Sequence, residues 1–137
     1  MGRVIAIDYG TKRTGIAVTD PMKIIAHALD TIDTKDIFNF LNDYLQNENV
    51  ETIVVGFPLN LQGKETNATQ HVKGFVRKLK KSFPGINIEI TDERYSSKLA
   101  LQAMITAGVK KSQRKDKKNL DKISATIILQ NYLNHIV

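Results

Sequence analysis

Short runs of branched aliphatic residues alternate along this chain with longer segments of helical periodicity. Val4 to Ile7 is too short and too β-branched for a helix and reads as a strand buried on both faces, with Ile16, Ala17 and Val18 forming a second. The residues between Gly10 and Gly15 make a polar turn whose glycines permit positive φ and leave room for close approach to the backbone. Asp20-Pro21-Met22 is a turn, and Lys23 to Ile32 is a third strand, so three successive antiparallel strands are expected. Asp33 or Thr34 caps a helix running to about Asn49, with Ile37, Phe38, Leu41, Tyr44 and Leu45 on one stripe. Val50 to Gly56 is a fourth strand, parallel to the first and stopped by Gly56-Phe57-Pro58. Leu59 to Lys64 is a loop. A second helix spans about Glu65 to Ser82 on Val72, Phe75, Val76 and Leu79, and ends at Pro84-Gly85. Asn87 to Thr91 is a fifth strand that delivers Asp92-Glu93-Arg94. Ser96 or Ser97 caps a third helix to Ala107, closed by Gly108, and a last helix runs from about Leu120 to His135 with Asp121 in its first turn. The order βββαβαβα describes an α/β fold, a mixed five-stranded sheet with helices on both faces, and residues 1–137 are expected to form one domain.

Composition narrows the chemistry. With no cysteine there is no disulfide, no thiolate metal site and no cysteine nucleophile. Met1 is followed by a strand rather than by a signal-type segment, and no apolar run reaches the length that spans a bilayer, so a cytoplasmic protein without membrane contact is expected. The formal net charge is +6, and the segment from Lys110 to Lys118 holds six cations and one aspartate, or +5 of it. That concentration suits phosphate capture, although a solvated lysine-rich loop has the same composition.

Acids at the ends of separate elements supply the candidate chemistry. Asp8 ends a buried strand, where a carboxylate requires either a hydrogen-bonded turn or a metal ion. If strands one, four and five run parallel, Asp8, Gly56 and Asp92-Glu93 gather at one sheet edge, and ligands bind at the carboxyl ends of such strands. Asp121 reaches the same edge if its helix lies close, which the small Ser124 and Ala125 one turn later allow; its other reading is a favourable charge near a helix N-terminus. Asp92, Glu93 and Arg94 have an alternative as a surface ion-pair cluster. His27, His71 and His135 are scattered and offer no rival site, and neither a Walker phosphate loop nor a Gly-x-Ser-x-Gly elbow is present. Asp-x-Gly-Thr hairpins occur in sugar-kinase and actin-like ATPases, whose two lobes are hard to fit into 137 residues, and a first-strand Asp binds catalytic metal in RNase H-like nucleases, whose element order this chain has.

Four blocks carry a more specific resemblance. Asp8-x-Gly10 with Lys12-Arg13-x-Gly15-x-Ala17, Gly56-x-Pro58 with Gly63, Asp92-Glu93-Arg94-x-Ser96-Ser97, and Asp121 with Ser124-Ala125 resemble the YqgF family in order and spacing. Ser124 stands where that family usually has alanine, a change that preserves smallness. The fourth strand ends without the acid that RuvC-type enzymes place there. Members of the family are described as candidate Holliday junction resolvases and as candidate nucleases maturing the 5′ end of pre-16S rRNA.

The resemblance implies an RNase H-like fold and a metal-dependent phosphodiester hydrolase, with Asp8, Glu93 and Asp121 holding Mg²⁺ or Mn²⁺. Glu93 is preferred to Asp92 because its longer side chain reaches toward Asp8 and the family's glutamate falls there. Lys12, Arg13, Arg94, Lys110, Lys111, Arg114, Lys115, Lys117 and Lys118 are the expected phosphate contacts, and Gly10, Gly15 and Gly56 the points of close backbone approach. The expected partner is nucleic acid, RNA in a ribosome precursor ahead of branched DNA, bound by a monomer or weak dimer. A junction resolvase and a non-catalytic RNA-binding module are the competing functions.

Overall fold

The computed structural model describes residues 2–57, 64–92 and 117–136, apart from the side chains of 92, 117–122 and 134–136. Its elements are β1 (Arg3–Tyr9), β2 (Arg13–Thr19), β3 (Ala26–Asp33), a 3₁₀ turn (Thr34–Asp36), α1 (Ile37–Asn47), β4 (Val50–Phe57), α2 (Asn67–Ser82), β5 (Asn87–Asp92) and α3 (Lys117–Ile136). The helix expected between Ser96 and Ala107 lies outside the described residues. The five strands form one sheet in the order β3-β2-β1-β4-β5. β1, β2 and β3 are antiparallel in succession, whereas β4 is parallel to β1 and β5 to β4.

Period-two alternation sorts the central strands into two cores. Ile5, Ile7, Ile16, Val18, Ile53 and Val55 face one side and pack with Ile37 and Leu41 of α1 and Val72, Phe75, Val76 and Leu79 of α2. Val4, Ala6, Ala17 and Val54 face the other and pack under Ala125, Ile128 and Leu129 of α3. The expected stripes of α1 and α2 face this core, with Ile37, Leu41, Val72, Phe75, Val76 and Leu79 buried and Phe38, Tyr44 and Leu45 partly so.

Several boundaries differ from the sequence expectation. Arg13, Thr14 and Gly15 belong to β2, pairing with Asp33, Ile32 and Thr31 on one side, while Thr14 and Gly15 pair with Tyr9 and Asp8 on the other. The polar turn is therefore confined to residues 10–12. Gly10 does not use positive φ; a Cβ there would sit 2.4 Å from the Arg13 carbonyl oxygen, so glycine is required by close approach. β3 begins at Ala26 rather than Lys23, because the Asp20 carboxylate accepts from the backbone N–H groups of Met22, Ile24 and Ile25 and holds the preceding residues in a loop. Neither Asp33 nor Asp36 caps its helix with a side chain.

Thr34, expected as a cap, instead clasps the 10–12 turn. Its N–H donates to the Lys12 carbonyl at 3.0 Å, and its hydroxyl donates to the Gly10 carbonyl at 2.6 Å. The hydroxyl's single proton is thereby used, so in the 2.8 Å contact between the two threonines Thr14 is the donor. Thr14 is 0% and Thr34 8% exposed, which shields this chain from water. Thr34→Val should cost about 1–3 kcal/mol in urea denaturation, since it strands a carbonyl and a hydroxyl. A loss of no more than ~0.5 kcal/mol, the usual size for a surface change, would show that the clasp does not hold the turn.

Candidate functional site

Alternation along β1 decides where its last side chains go. Val4 and Ala6 lie under α3, so Asp8 is on the α3 face, while Tyr9 joins Ile5 and Ile7 on the opposite face. Asp8 is half-buried and sits directly opposite Gly15 in the β1–β2 ladder. On its other side, the last β1–β4 pair is Ile7 with Val55, which brings Gly56 alongside Asp8. Gly56 follows Val54 by two residues and shares the α3 face. The carboxylate thus stands between two glycines, with no neighbouring Cβ on either adjoining strand to block approach.

β5 reaches the same edge. Gly56 pairs with Thr91 and Phe57 with Asp92, the last residue of the strand. Glu93 and Arg94 lie outside the described residues, as do Lys110, Lys111, Arg114 and Lys115. β4 ends in Gly56 and Phe57 without an acid.

The direction of α3 is set by its far end. Tyr132 packs on the α3-side core and meets Thr52, which pairs with Val4 near the start of β1. Burial pushes the Tyr132 hydroxyl above its ordinary value, the Glu89 carboxylate adds to the rise, and hydrogen bonding with Thr52 opposes it. Position 121 precedes Tyr132 by three helical turns, roughly 16 Å at 1.5 Å per residue. Val4 to Asp8 spans roughly 13 Å of strand. α3 thus covers the Val4, Ala6 and Val54 face with its Tyr132 end near the start of β4, and position 121 lies three turns away toward its other end. Ser124 and Ala125, 1% and 0% exposed, are the small residues at which this helix meets the sheet.

Three sets of described cations bear on the site. Lys12 is exposed in the turn, and Arg13, half-buried, lies on the face of Gly15 and Ala17 and hence of Asp8. Lys117 and Lys118 were expected in a loop but form the first turn of α3, which unbranched lysines favour. The third group was missed: Lys73, Arg77, Lys78, Lys80 and Lys81 give α2 five cations and no acid. The positive charge is consequently not confined to residues 110–118, because acids elsewhere conceal α2 in the net sum. A tally by element rather than by segment shows it. A cavity of about 450 Å³ beside α2, lined in part by Tyr9, Phe38 and Phe75, was also missed, since its walls come together only in three dimensions.

The proposed metal donors are all carboxylate oxygens, the ligand type that hard divalent cations take, and the glycines beside Asp8 leave space for an ion and its waters. Among the described residues no group of three metal-type donors is present, the side chains of Glu93 and Asp121 falling outside them. No helix among the described residues is long and apolar enough to cross a membrane.

Comparisons with known proteins bear on the fold and the family. The family model "RuvX: Holliday junction resolvase" matches residues 2–135. A Christiangramia forsetii protein named "Putative pre-16S rRNA nuclease" is 47% identical over 133 residues, covering 97% of this chain and 98% of its own. A Flavobacterium psychrophilum protein of the same name is 50% identical over 133 residues, covering 97% of each chain. T. thermophilus RuvC, solved in complex with a Holliday junction substrate, superposes with a TM-score of 0.58 at 16% identity, over 99% of this chain and 96% of that one. The fold is accordingly RNase H-like, the resemblance to YqgF holds over nearly the whole length, and the chain belongs to the RuvX (YqgF) family of nucleases.

Proposed function

We propose that this protein is a metal-dependent nuclease that matures the 5′ end of pre-16S rRNA in the cytoplasm. The observation that carries the reading is Asp8: a carboxylate at the shared carboxyl edge of three strands, flanked by Gly15 and Gly56. The names of the full-length relatives favour RNA as the substrate. A branched-DNA resolvase, the activity named in the family model, is the second reading; the absence of an acid at the end of β4 counts against equivalence with RuvC-type enzymes.

In this proposal Asp8, Glu93 and Asp121 hold Mg²⁺ or Mn²⁺, which when bound activates water and stabilises the leaving oxygen of an in-line displacement. Glu89 lies toward Tyr132 of α3 whereas Ile88 packs into the opposite core, so odd-numbered positions of β5 share the face of Asp8. Glu93 rather than Asp92 is the ligand in this proposal, its longer side chain being the one that reaches toward Asp8. Arg13 and Lys12 neutralise phosphate beside the scissile bond, together with Arg94 and the cations of residues 110–118. Gly10, Gly15 and Gly56 keep the backbone accessible to the strand.

Asp8→Asn should lower cleavage by roughly a thousandfold or more, the equivalent of several kcal/mol of charge stabilisation, while leaving the fold intact. Glu93→Gln should behave similarly and lose Mn²⁺ affinity by calorimetry, whereas Asp92→Asn should retain substantial activity. A pure Asp8→Asn protein cutting at the parental rate would remove the catalytic proposal. Replacing Lys110, Lys111, Arg114 and Lys115 with serine should reduce the salt slope of RNA binding by about 0.7 per lost single-strand phosphate contact. An unchanged slope would leave that segment a solubilising one.

A further inference from the structure

On the opposite face from Asp8, the sheet edge opens into the cavity of about 450 Å³ beside α2, within the size range of small-ligand sites. Its walls are of two chemical kinds. Tyr9 stacks on Phe75 with ring centroids 4.4 Å apart, and Phe38 meets Phe75 edge to face at 5.6 Å. Exposed cations stand around them: Lys35 lines the cavity, and Lys78 places its ammonium 4.6 Å from the Phe38 ring centroid. Flat aromatic surface next to fixed positive charge is what a nucleobase joined to a phosphate requires.

Gly74 gives an independent sign that the space is kept open. It lies in the middle of α2, where glycine is the least favourable residue after proline, and it lines the cavity. Its φ is not in the left-handed region, and among the described residues the nearest atom to an added Cβ is a guanidinium nitrogen of Arg77, at 3.9 Å. Among the described residues neither backbone conformation nor a tight contact requires glycine at this position, which lines the cavity.

Position relative to the nuclease edge supplies the polymer. Tyr9 is the residue after Asp8, so the cavity begins where the carboxylate's strand ends, across the 10–12 turn. Of the five cations of α2, Lys78 lines the cavity, and Lys73 is paired with Glu65.

We propose that this cavity is a subsite for one nucleotide of a single-stranded RNA, its base held against Tyr9 and Phe38 and its phosphate by Lys35 and Lys78. The subsite rests on the nuclease reading for the identity of the polymer and holds a nucleotide flanking the scissile bond, on the far side of the sheet edge from the carboxylates.

The test uses the full chain, isotope-labelled, in chelator and without divalent metal, titrated with AMP, inorganic phosphate and a single-stranded RNA pentamer. AMP should shift the amide resonances of Tyr9, Thr11, Gly74 and Lys78, whereas phosphate at the same concentration should leave Tyr9 and Gly74 unmoved. Gly74→Met, which fills the cavity while improving helix propensity, should weaken pentamer binding at least tenfold without lowering the melting temperature. The surface double substitution Lys35→Ser with Lys78→Ser should also weaken it. Phosphate reproducing the AMP shifts, AMP leaving these amides unmoved, or parental pentamer affinity in folded Gly74→Met would each overturn the subsite. Because no cleavage is read, the two readings fail separately. Binding here by a chain that cuts no RNA sinks only the nuclease assignment, and normal cutting with an unresponsive cavity sinks only the subsite.

Discussion

Burial of β1 on both faces is the constraint on which the rest of the structure depends. Val4, Ile5, Ala6 and Ile7 are all 0–1% exposed, in the middle of the sheet, with α1 and α2 over one face and α3 over the other. Each large aliphatic side chain so buried stabilises the fold by about 1.5–3 kcal/mol, and a slip of one residue would exchange the two sets between cores of different shape. The register is therefore fixed, and with it the direction of the last two side chains of the strand. Asp8 must emerge on the α3 face and Tyr9 on the α2 face, so one strand end presents a carboxylate to one side and an aromatic ring to the other.

Around Asp8, small residues serve one purpose from three directions. Gly15 and Gly56 remove side chains from the neighbouring strands, and Ser124 and Ala125 let α3 rest close to the sheet. Room is thereby concentrated at the place where carboxylates converge in the proposed site and where a phosphate has to approach. The adjoining 10–12 turn is held from outside by Thr34, whose hydrogen bonds to Gly10 and Lys12 span more than twenty residues of sequence. A rigid turn keeps Lys12 and Arg13 at the same edge.

The sheet was legible in the sequence because its signals are local. Aliphatic runs of strand length, separated by helical stripes, were enough to give strand number, the parallel relation of β1, β4 and β5, and the buried residues of α1 and α2. The edge that gathers Asp8, Gly56 and the end of β5 came directly from that topology. What escaped depended on distant partners. Arg13 and Thr14 read as turn because the pairing with Tyr9 and Ile32, and the threonine chain to Thr34, cannot be seen along the chain. Lys117 and Lys118 belong to a charged run of loop-like composition, yet unbranched lysines favour helix and α3 begins with them. The basic face of α2 was hidden by a net charge that balances its cations against acids elsewhere, and the cavity's aromatic rings come from three separate elements.

The proposed activity is hydrolysis of ribosome-precursor RNA at the Asp8 edge. Its most direct measurement is a single incubation of the purified chain with Mn²⁺, offering a pre-16S RNA fragment carrying the 5′ extension and a four-way DNA junction in parallel. Discrete cleavage of the RNA at the mature 5′ end, lost on chelation, with the junction left intact, is the predicted result. Symmetric cutting of the junction and no specific product from the RNA would contradict it.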